Sequence, residues 1–452
     1  GGSNTQVVTG LVNAGNYAGN LLISNAVGQG MSNYTISYLP GNLVVDKAVL
    51  TVSAVADAKF VSQTDAQGYA NNCGSGVICP GGYAGVMYSG FKNSDTVSAL
   101  NTSGLVVTRQ NVSNVSANVS GDAQAAGVYT GALRASGLVA TNYQFNYVAG
   151  DYTIVPASQL LVKVGSNTTD YGSAPNYNAV TAQYLYPNNA SPTTLAVSVS
   201  GSTVTVNDGA GGSAVFGLIP VAGQYSGSNN LSVGSYALAP GSINITGSNF
   251  TNDPVVTGGL TVKPQVLTFT QLNISGVSKV YDGSVSMNNL AVDVAPNVFI
   301  SGDQVNVAVS GAFAAKNVGN SLSYTVSSLF SGADALNYVV GGGATYSGSN
   351  GSISQLNSVT YTGPATGGAW SNPANWTTTG TNQRGAIPDF SNVANVIIPA
   401  GTSVVYDSGV GGPVTSAVLN NGNLSFNLSS ATTIGMPISG FGRVTIGNTG
   451  EV

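Results

Sequence analysis

The 452-residue sequence has very few ionisable side chains. Only 6% of its residues are charged, histidine is absent, and Glu451 is its single glutamate, whereas ordinary soluble domains have about 25% charged residues. General acid–base catalysis needs positioned titratable groups, so we predict no enzymatic activity and no cofactor. The 11 basic residues are scattered singly. They form no patch that could neutralise phosphates, so we predict no nucleic-acid partner.

Long apolar runs and good helix formers are also scarce. No run approaches the ~18–20 apolar residues of a membrane span, while Gly (61 residues), Val, Thr and Asn are abundant. Apolar and polar residues alternate with period two, as in residues 195–200 and 305–309, which is typical of strands. The sequence therefore predicts an all-β protein without a membrane span. A polar surface made of Ser, Thr and Asn is typical of extracellular bacterial surface proteins, so we expect that location.

Cysteine occurs only twice, at Cys73 and Cys79, within a Gly-rich stretch. The close spacing favours a disulfide that closes a surface loop in an oxidising compartment. The alternative is half of a metal site, but no histidine or further cysteine is available to complete the coordination. We therefore predict the disulfide and no metal.

What the sequence does contain is a repeat of long period. An Asn-aromatic pair that ends a polar stretch recurs at Asn33, Asn142, Asn249 and, more loosely, Asn337. The pairs are about 90 to 110 residues apart, far more than the ~20–50 residues of solenoid repeats. This length lets each unit bury a core of its own. We predict a linear tandem array of small β-sandwich-like or β-grasp-like modules.

The repeats divide the chain into five predicted modules, which we call the first to the fifth. They span residues 1–46, 47–158, 159–265, 266–357 and 358–452. The junctions between them contain no long Gly/Ser tract, which predicts a semi-rigid rod. The first module is the end of an incomplete unit, so we expect the chain to be a piece of a longer protein.

Four motifs follow one another in the fourth module. They are K-V-Y-D-G-S (279–284), S-G-D-Q-V (301–305), G-A-F-A-A-K-N-V-G (311–319) and S-G-A-D-A-L-N-Y (331–338). With D-Y-G-S-A-P-N-Y (170–177) in the third module, they resemble the MBG and YDG repeats of bacterial filamentous-haemagglutinin-like adhesins, the exoproteins of two-partner secretion. The resemblance implies β-rich architecture and no single defined activity.

Composition, period and resemblance together predict a non-enzymatic structural segment of a secreted bacterial surface adhesin or extracellular filament. It would serve as a stalk or as the repeating body of a fibre. Open strand edges would allow copies to associate into fibres, and glycans or cell-surface receptors are the other expected partners. The rival interpretations are a glycan-binding, lectin-like module and a secreted carbohydrate-active enzyme.

Both rivals depend on the fifth module, which contains the two tryptophans, Trp370 and Trp376. Their motif is similar to a Trp segment that precedes β-helical or sandwich regions in many secreted surface proteins. Residues 419–428 and 442–450 read like short solenoid rungs, so we predict a C-terminal Trp-motif β module that either begins a β-helix or forms one more sandwich. The indole rings have two interpretations, packing at the start of the module, which we favour, or contact with a glycan.

Three aspartates lie in turn sequences of the fourth module, Asp282, Asp303 and Asp334. Aspartate in a turn normally accepts hydrogen bonds from the local backbone, and we favour that role over calcium ligation or catalysis.

Three N-x-S triplets follow one another from Asn111, Asn114 and Asn118. They are candidate glycosylation sites in an exported protein, although such triplets also arise by chance in an Asn- and Ser-rich chain.

Overall fold

The computed structural model is built from β-strands throughout. It describes residues 12–21, 37–63, 85–92, 95–111, 114–118, 125–247, 249–250, 254–343, 345–380, 383–410, 412–428 and 433–447. Helical structure within these ranges is limited to short 3₁₀ turns at Val97–Ala99, Phe269–Leu272, Ala335–Asn337 and Pro373–Asn375. No helix in the described part of the chain has the length and apolar character needed to cross a membrane. The all-β prediction is confirmed.

The first and second modules contain three sheets. In the first module, β1 (Gly15–Leu21) pairs antiparallel with β2 (Gly41–Val45). The strands of the second are β3 (Ala48–Ala54), β4 (Asp57–Phe60), β5 (Val86–Ser89), β6 (Val106–Asn111), β7 (Asn114–Asn118), β8 (Gly127–Ser136), β9 (Tyr143–Val148) and β10 (Gly150–Val155). They form sheets of order β5-β3-β9 and β4-β10-β8-β6-β7, and both sheets contribute to one buried core.

The third module is a closed barrel, where the sequence had predicted a sandwich-like or grasp-like unit. Its seven strands pair in chain order: β11 (Leu160–Asp170), β12 (Val180–Tyr184), β13 (Thr193–Ser200), β14 (Thr203–Asn207), β15 (Ser213–Pro220), β16 (Gly234–Thr246) and β17 (Val255–Lys263). The parallel pair β11–β17 closes the ring, with a register shift between Lys163 and Ser166. Bulges of this kind increase strand twist and allow closure.

The fourth module has one main sheet and two small ones. Its strands are β18 (Gln265–Leu267), β19 (Ile274–Ser275), β20 (Ser278–Val280), β21 (Ala291–Val292), β22 (Asn306–Phe313), β23 (Gly319–Ser331), β24 (Tyr338–Val340) and β25 (Thr345–Ser354). The main sheet has the order β20-β25-β23-β22, and the pairs β18–β24 and β19–β21 form the others.

The fifth module is a parallel β-solenoid of four rungs. Its strands are β26 (Leu356–Tyr361), β27 (Gly368–Ala369), β28 (Trp376–Thr378), β29 (Val393–Ile398), β30 (Ser403–Asp407), β31 (Ala417–Asn420), β32 (Asn423–Asn427), β33 (Ile438–Ser439) and β34 (Arg443–Ile446). The sheets have the orders β28-β26-β29-β31-β33 and β27-β30-β32-β34. Of the two predicted forms, the β-helical one is therefore the form observed.

The register of the solenoid shows where the Trp motif belongs. Ser403 pairs with Asn423, and Asn423 with Arg443, so each of these rungs takes up about 20 residues. The first rung, β26 and β27, pairs with the second rung, β29 and β30. In the sequence these two rungs are separated by the longer segment 370–392. That segment carries both tryptophans and β28, the one antiparallel strand of this sheet. The Trp motif is thus an insertion at the start of the solenoid.

In the second to fourth modules, an early strand runs parallel to a late one. The pairs are β3–β9 and β4–β10, β11–β17, and β18–β24 and β20–β25. Parallel neighbours point in the same direction, so the chain leaves each module at the end opposite to where it came in. The next module then begins almost at once, since β17 ends at Lys263 and β18 begins at Gln265.

Candidate functional site

Both tryptophans are completely buried, so neither indole can stack on a sugar ring in this structure. The Trp370 Nε1–H donates to the carbonyl of Pro388 (2.8 Å), and the Trp376 Nε1–H donates to the carbonyl of Trp370 (2.7 Å). Each ring therefore has its polar group satisfied inside the core. The structure shows the packing role and not the glycan contact.

The indoles belong to an aromatic column along the solenoid core. The two Trp ring centroids are 4.9 Å apart, Tyr406 lies 5.2 Å from Trp370, and Phe426 lies 5.4 Å from Tyr406. Tyr406 and Phe426 occupy equivalent positions on successive rungs. The column therefore begins at the Trp motif and continues into the later rungs.

Two asparagines of the repeated Asn-aromatic pair, Asn142 and Asn337, bond to the preceding module. Asn337 Oδ1 accepts from the backbone N–H of Val233 in the third module (2.8 Å). Asn142 Oδ1 accepts from the backbone N–H of Ala14 in the first (2.8 Å). The donors lie in similar sequences, S-V-G-S-Y from Ser232 and N-A-G-N-Y from Asn13. At these two positions the long-period repeat marks a contact between modules, whereas Asn249 donates to Asp208 Oδ2 within its own module (2.7 Å).

The tyrosine that follows Asn142 or Asn337 anchors an equivalent turn within its own module. The hydroxyl of Tyr338 donates to Asp303 Oδ2 (2.5 Å), and that of Tyr143 donates to Asp95 Oδ2 (2.7 Å). Burial, and then the neighbouring Asp95, raises the pKa of Tyr143 to about 12. Both tyrosines therefore remain neutral donors near neutral pH.

The same Asp303 carboxylate receives a tyrosine from the preceding module. The Tyr171 hydroxyl donates to Oδ2 (2.6 Å), and the backbone N–H of Ser228 donates to Oδ1 (3.1 Å). Burial alone would raise the pKa of Asp303, but the hydrogen bonds from Ser228, Tyr171 and Tyr338 outweigh it and hold the pKa below its ordinary value. The carboxylate is thus an ionised acceptor at the contact between the third and fourth modules.

Asp334 makes a second contact at this joint. Its Oδ2 accepts from the backbone N–H of Gln304 (2.8 Å), and the N–H of Gly227 in the third module approaches the same oxygen at 3.3 Å. A Cβ on Gly227 would lie 2.3 Å from the carbonyl oxygen of Gly302. Loop 226–228 therefore fits closely against the turns that contain Asp303 and Asp334.

The joint between the fourth and fifth modules follows the same plan. The Tyr281 hydroxyl donates to the carbonyl of Ile387 (3.0 Å) and lies 3.2 Å from Asp389 Oδ1. Lys316 Nζ pairs with Asp389 Oδ2 at 2.8 Å. Burial, and then the Asp389 charge, raises the pKa of Tyr281. A neutral tyrosine and a lysine thus converge on one buried carboxylate of the next module.

Two further contacts complete this joint. Asn392, which is fully buried, accepts from the backbone N–H of Val318 at Oδ1 (2.8 Å) and donates from Nδ2 to Asn317 Oδ1 (3.0 Å). Gly283 has φ +81°, and a Cβ there would lie 2.0 Å from the carbonyl oxygen of Gly385. Only glycine combines this positive φ with the absence of a Cβ, so any other residue at position 283 would displace the backbone.

Lys279 shapes the turn that presents Tyr281 and Gly283. Its ammonium lies 2.6 Å from Asp282 Oδ1 and donates to the carbonyls of Ser284 (2.8 Å) and Ser286 (2.9 Å). Asp282 Oδ1 also accepts from the backbone N–H of Ser284 (2.8 Å). Asp282 is therefore a local turn aspartate, as predicted, whereas Asp303 and Asp334 also bind another module.

The joint between the second and third modules uses different chemistry. Phe60 is fully buried at this junction with Val155, Leu161 and Leu185. Asp57 pairs with Lys163 of the third module at 2.8 Å, and both side chains are largely buried. An apolar contact and an ion pair here replace the tyrosine–carboxylate contact found on either side of the fourth module.

The predicted disulfide and glycosylation residues all belong to the second module. Cys73 and Cys79 lie outside the described residues. Asn111 ends β6, and Asn114 and Asn118 begin and end β7, the outermost strand of its sheet. Disulfide formation and glycosylation at these positions stay predictions.

Comparison with known protein families supports one module directly. The family model of the YDG domain matches residues 263–348. No curated protein matches the chain. The prediction of a YDG-type module in this part of the chain is therefore confirmed, and the match contains Tyr281 and Gly283 as well as Asp303, Asp334 and Asn337. The motif residues of this module thus face both of its neighbours.

Proposed function

We propose that the chain is a non-enzymatic structural segment, in which consecutive β modules are held end to end as a stalk. The observation that carries this proposal is the pair of tyrosine–carboxylate joints, Tyr171 with Asp303 and Tyr281 with Asp389. A flexible string of domains would not need buried, hydrogen-bonded contacts of this kind at its linkers, where few contacts normally cross.

Continuous apolar packing across the joints supports the same proposal. Val298 and Tyr338 of the fourth module belong to the buried cluster of the barrel. Tyr281 and Ile353 share a cluster with Trp370 and Trp376 of the fifth. Apolar burial contributes about 25 cal/mol per Å², so bending at these joints would expose core surface and cost free energy.

The biological setting belongs to the same proposal. Low charge, a Ser/Thr/Asn-rich surface and the resemblance to haemagglutinin-like exoproteins favour an extracellular bacterial adhesin. The stalk would place a receptor- or glycan-binding surface away from the cell. Assembly into a fibre is a second version, favoured by β22, which lies at the edge of its sheet and carries no charged residue.

Electron microscopy and sedimentation over a concentration series separate these versions. The stalk predicts single rods that remain monomeric. The fibre predicts concentration-dependent filaments, which Ser310→Lys on the exposed face of β22 should suppress by placing a charge at the edge. Compact monomeric particles would contradict both versions.

A further inference from the structure

The β1–β2 hairpin of the first module is equivalent to the closing strand pairs of the second and third modules, β8–β10 and β16–β17. Each pair places a tyrosine of its first strand opposite a large side chain of its second: Tyr17 with Leu43, Tyr129 with Tyr152, and Tyr236 with Leu260. The hydroxyl of each first-strand tyrosine donates to the backbone carbonyl four residues earlier, at 2.7–2.9 Å. Register and side-chain contact therefore identify β2 as the counterpart of β10 and β17.

The counterparts of β2 carry a parallel strand along their outer edge. β10 pairs with β4, and β17 pairs with β11, whereas within the described residues β2 pairs only with β1. Leu43 and Val45 of β2 are partly exposed. The residues at the same positions of the counterparts are at most 2% exposed: Tyr152, Ile154, Leu260 and Val262. The edge of β2 thus offers backbone groups and apolar side chains of the kind that an added strand uses.

In the third and fourth modules, the parallel strand also delivers a tyrosine to the next module. Tyr171 directly follows β11, and its backbone N–H donates to the carbonyl of Lys263 (2.8 Å) at the end of β17. Tyr281 follows β20 and donates in the same way to Ser354 (2.9 Å) at the end of β25. The two hydroxyls then contact carboxylates of the following module. A parallel strand on β2 that ended in a tyrosine would direct its hydroxyl toward the second module.

The second module has a carboxylate for such a hydroxyl, Asp95. Its Oδ2 accepts from Tyr143 of the same module (2.7 Å), as Asp303 Oδ2 accepts from Tyr338. Asp303 accepts in addition from Tyr171 of the preceding module. In the part of the chain that the structure describes, no tyrosine of the first module donates to Asp95, which is partly exposed. A carboxylate can accept several hydrogen bonds, so Asp95 has room for a second tyrosine.

We propose that β2 and Asp95 together form a docking site for the opening strand of a YDG-type module on another polypeptide. The partner is an extended segment that ends in Tyr-Asp-Gly or Tyr-Gly, as the segments that contain β20 and β11 do. It pairs in parallel with β2 beside Leu43 and Val45, and its tyrosine donates to Asp95. Backbone pairing supplies the affinity, and the charge-assisted tyrosine–carboxylate bond selects the end of the segment.

The test uses the full chain and a fluorescein-labelled peptide with the sequence of residues 274–284, I-S-G-V-S-K-V-Y-D-G-S. Fluorescence anisotropy should show saturable binding of this peptide and none of a scrambled one. The Tyr281→Phe peptide, which lacks the hydroxyl, should bind about tenfold more weakly, as loss of a hydrogen bond to a charged group implies.

The chain variant Asp95→Asn should weaken binding of the unmodified peptide to a similar extent. Its amide oxygen still accepts from Tyr143, so the turn is retained. Asp170→Asn is the matched control, because Asp170 is an exposed carboxylate of the third module, and it should bind the peptide like the unmodified chain.

A benzophenone group in place of Val280 of the peptide locates the added strand. Parallel pairing in the register of β17 and β25 puts this position beside Asp46, where mass spectrometry should find the crosslink. A crosslink at Gly41 would indicate antiparallel pairing, and one on β25 would indicate exchange with β20. Either result overturns the proposal, as does equal binding of the scrambled peptide or unchanged affinity for Asp95→Asn. None of these outcomes bears on the stalk, whose tyrosine–carboxylate joints lie on either side of the fourth module.

Discussion

Gly172 and Gly283 have the same backbone conformation, with φ +81° at both, and each follows closely on a tyrosine that reaches the next module. A Cβ on Gly172 would meet the end of the Ile300 side chain at 2.4 Å, and one on Gly283 would meet the backbone of Gly385. At the residue scale, each of these two joints therefore contains a tyrosine whose hydroxyl contacts a carboxylate of the next module, and a glycine that lets the two backbones approach closely.

Because the backbones lie so close at Gly283, we expect Gly283→Ala to lower the stability of the joint. Gly342 has φ +84° but no atom within 4 Å of its Cβ position, so Gly342→Ala carries the backbone strain without the contact. We expect Gly283→Ala to lower the free energy of unfolding by about 1–3 kcal/mol more than Gly342→Ala, the range for overpacking. Urea unfolding followed by tryptophan emission reports on the fifth module. Equal losses would show that Gly283 is not at a tight joint.

Asp303 predicts how the joint between the third and fourth modules responds to acid. Its pKa is lowered in the folded state, so its contribution is present above the unfolded-state pKa of ~3.9 and is lost as pH falls through the lower folded-state value. On going from pH 5 to pH 2.5, the unmodified chain should therefore lose more stability than Asp303→Asn.

The matched control for this experiment is Asp170→Asn. Asp170 pairs with Lys263 at 3.5 Å, and both side chains are more than half exposed, so the pair contributes little. Its acid response should follow that of the unmodified chain. If Asp303→Asn also follows it, the carboxylate does not stabilise the joint.

At the scale of elements, the sequence predicted the strands well because alternation is a local signal. The closure of the barrel was not predictable, since it depends on the register shift in β11 and on Gly258, whose Cβ would lie 2.4 Å from the carbonyl of Val164. Such contacts join residues almost a hundred positions apart. The solenoid was suggested by short rungs, but only their pairing distinguishes it from a sandwich.

The joints were only partly visible in the sequence. The sequence shows the Asn-aromatic repeat but not the contacts that its asparagines make, because the partners of Asn142 and Asn337 lie 128 and 104 residues away. For the same reason, the sequence around Asp303 predicts only a turn residue. The tryptophans show the converse case, since their position in one short motif favours packing, and both are buried.

The aromatic column predicts that Trp370 stabilises the start of the solenoid. Trp370→Ala should lower the free energy of unfolding of the fifth module by about 3–5 kcal/mol, as expected for a large buried ring. Phe441→Ala, at an exposed ring of the same module, should change it by less than about 0.5 kcal/mol. Chemical unfolding followed by the emission of Trp376 measures both. If both variants changed the free energy of unfolding by a similarly small amount, the aromatic column would not be a structural core.

At the scale of the whole molecule, we propose that buried joints make a rod from consecutive modules. Strands of 11 to 13 residues, such as β11, β16 and β23, are about 40 Å long at ~3.3 Å per residue. The longest strands of the second and fifth modules have ten and six residues, so the four modules in line would extend over roughly 140 Å, which gives a thin rod a radius of gyration of about 40 Å.

Small-angle X-ray scattering of the monomeric chain tests this claim most directly. A compact protein of 452 residues would have a radius of gyration of about 22 Å. For a rod we expect about 40 Å and a linear cross-section plot, and for the double variant Gly172→Val, Gly283→Val a more flexible profile. A value near 22 Å, or scattering that the double variant leaves unchanged, would contradict a rod held by these joints.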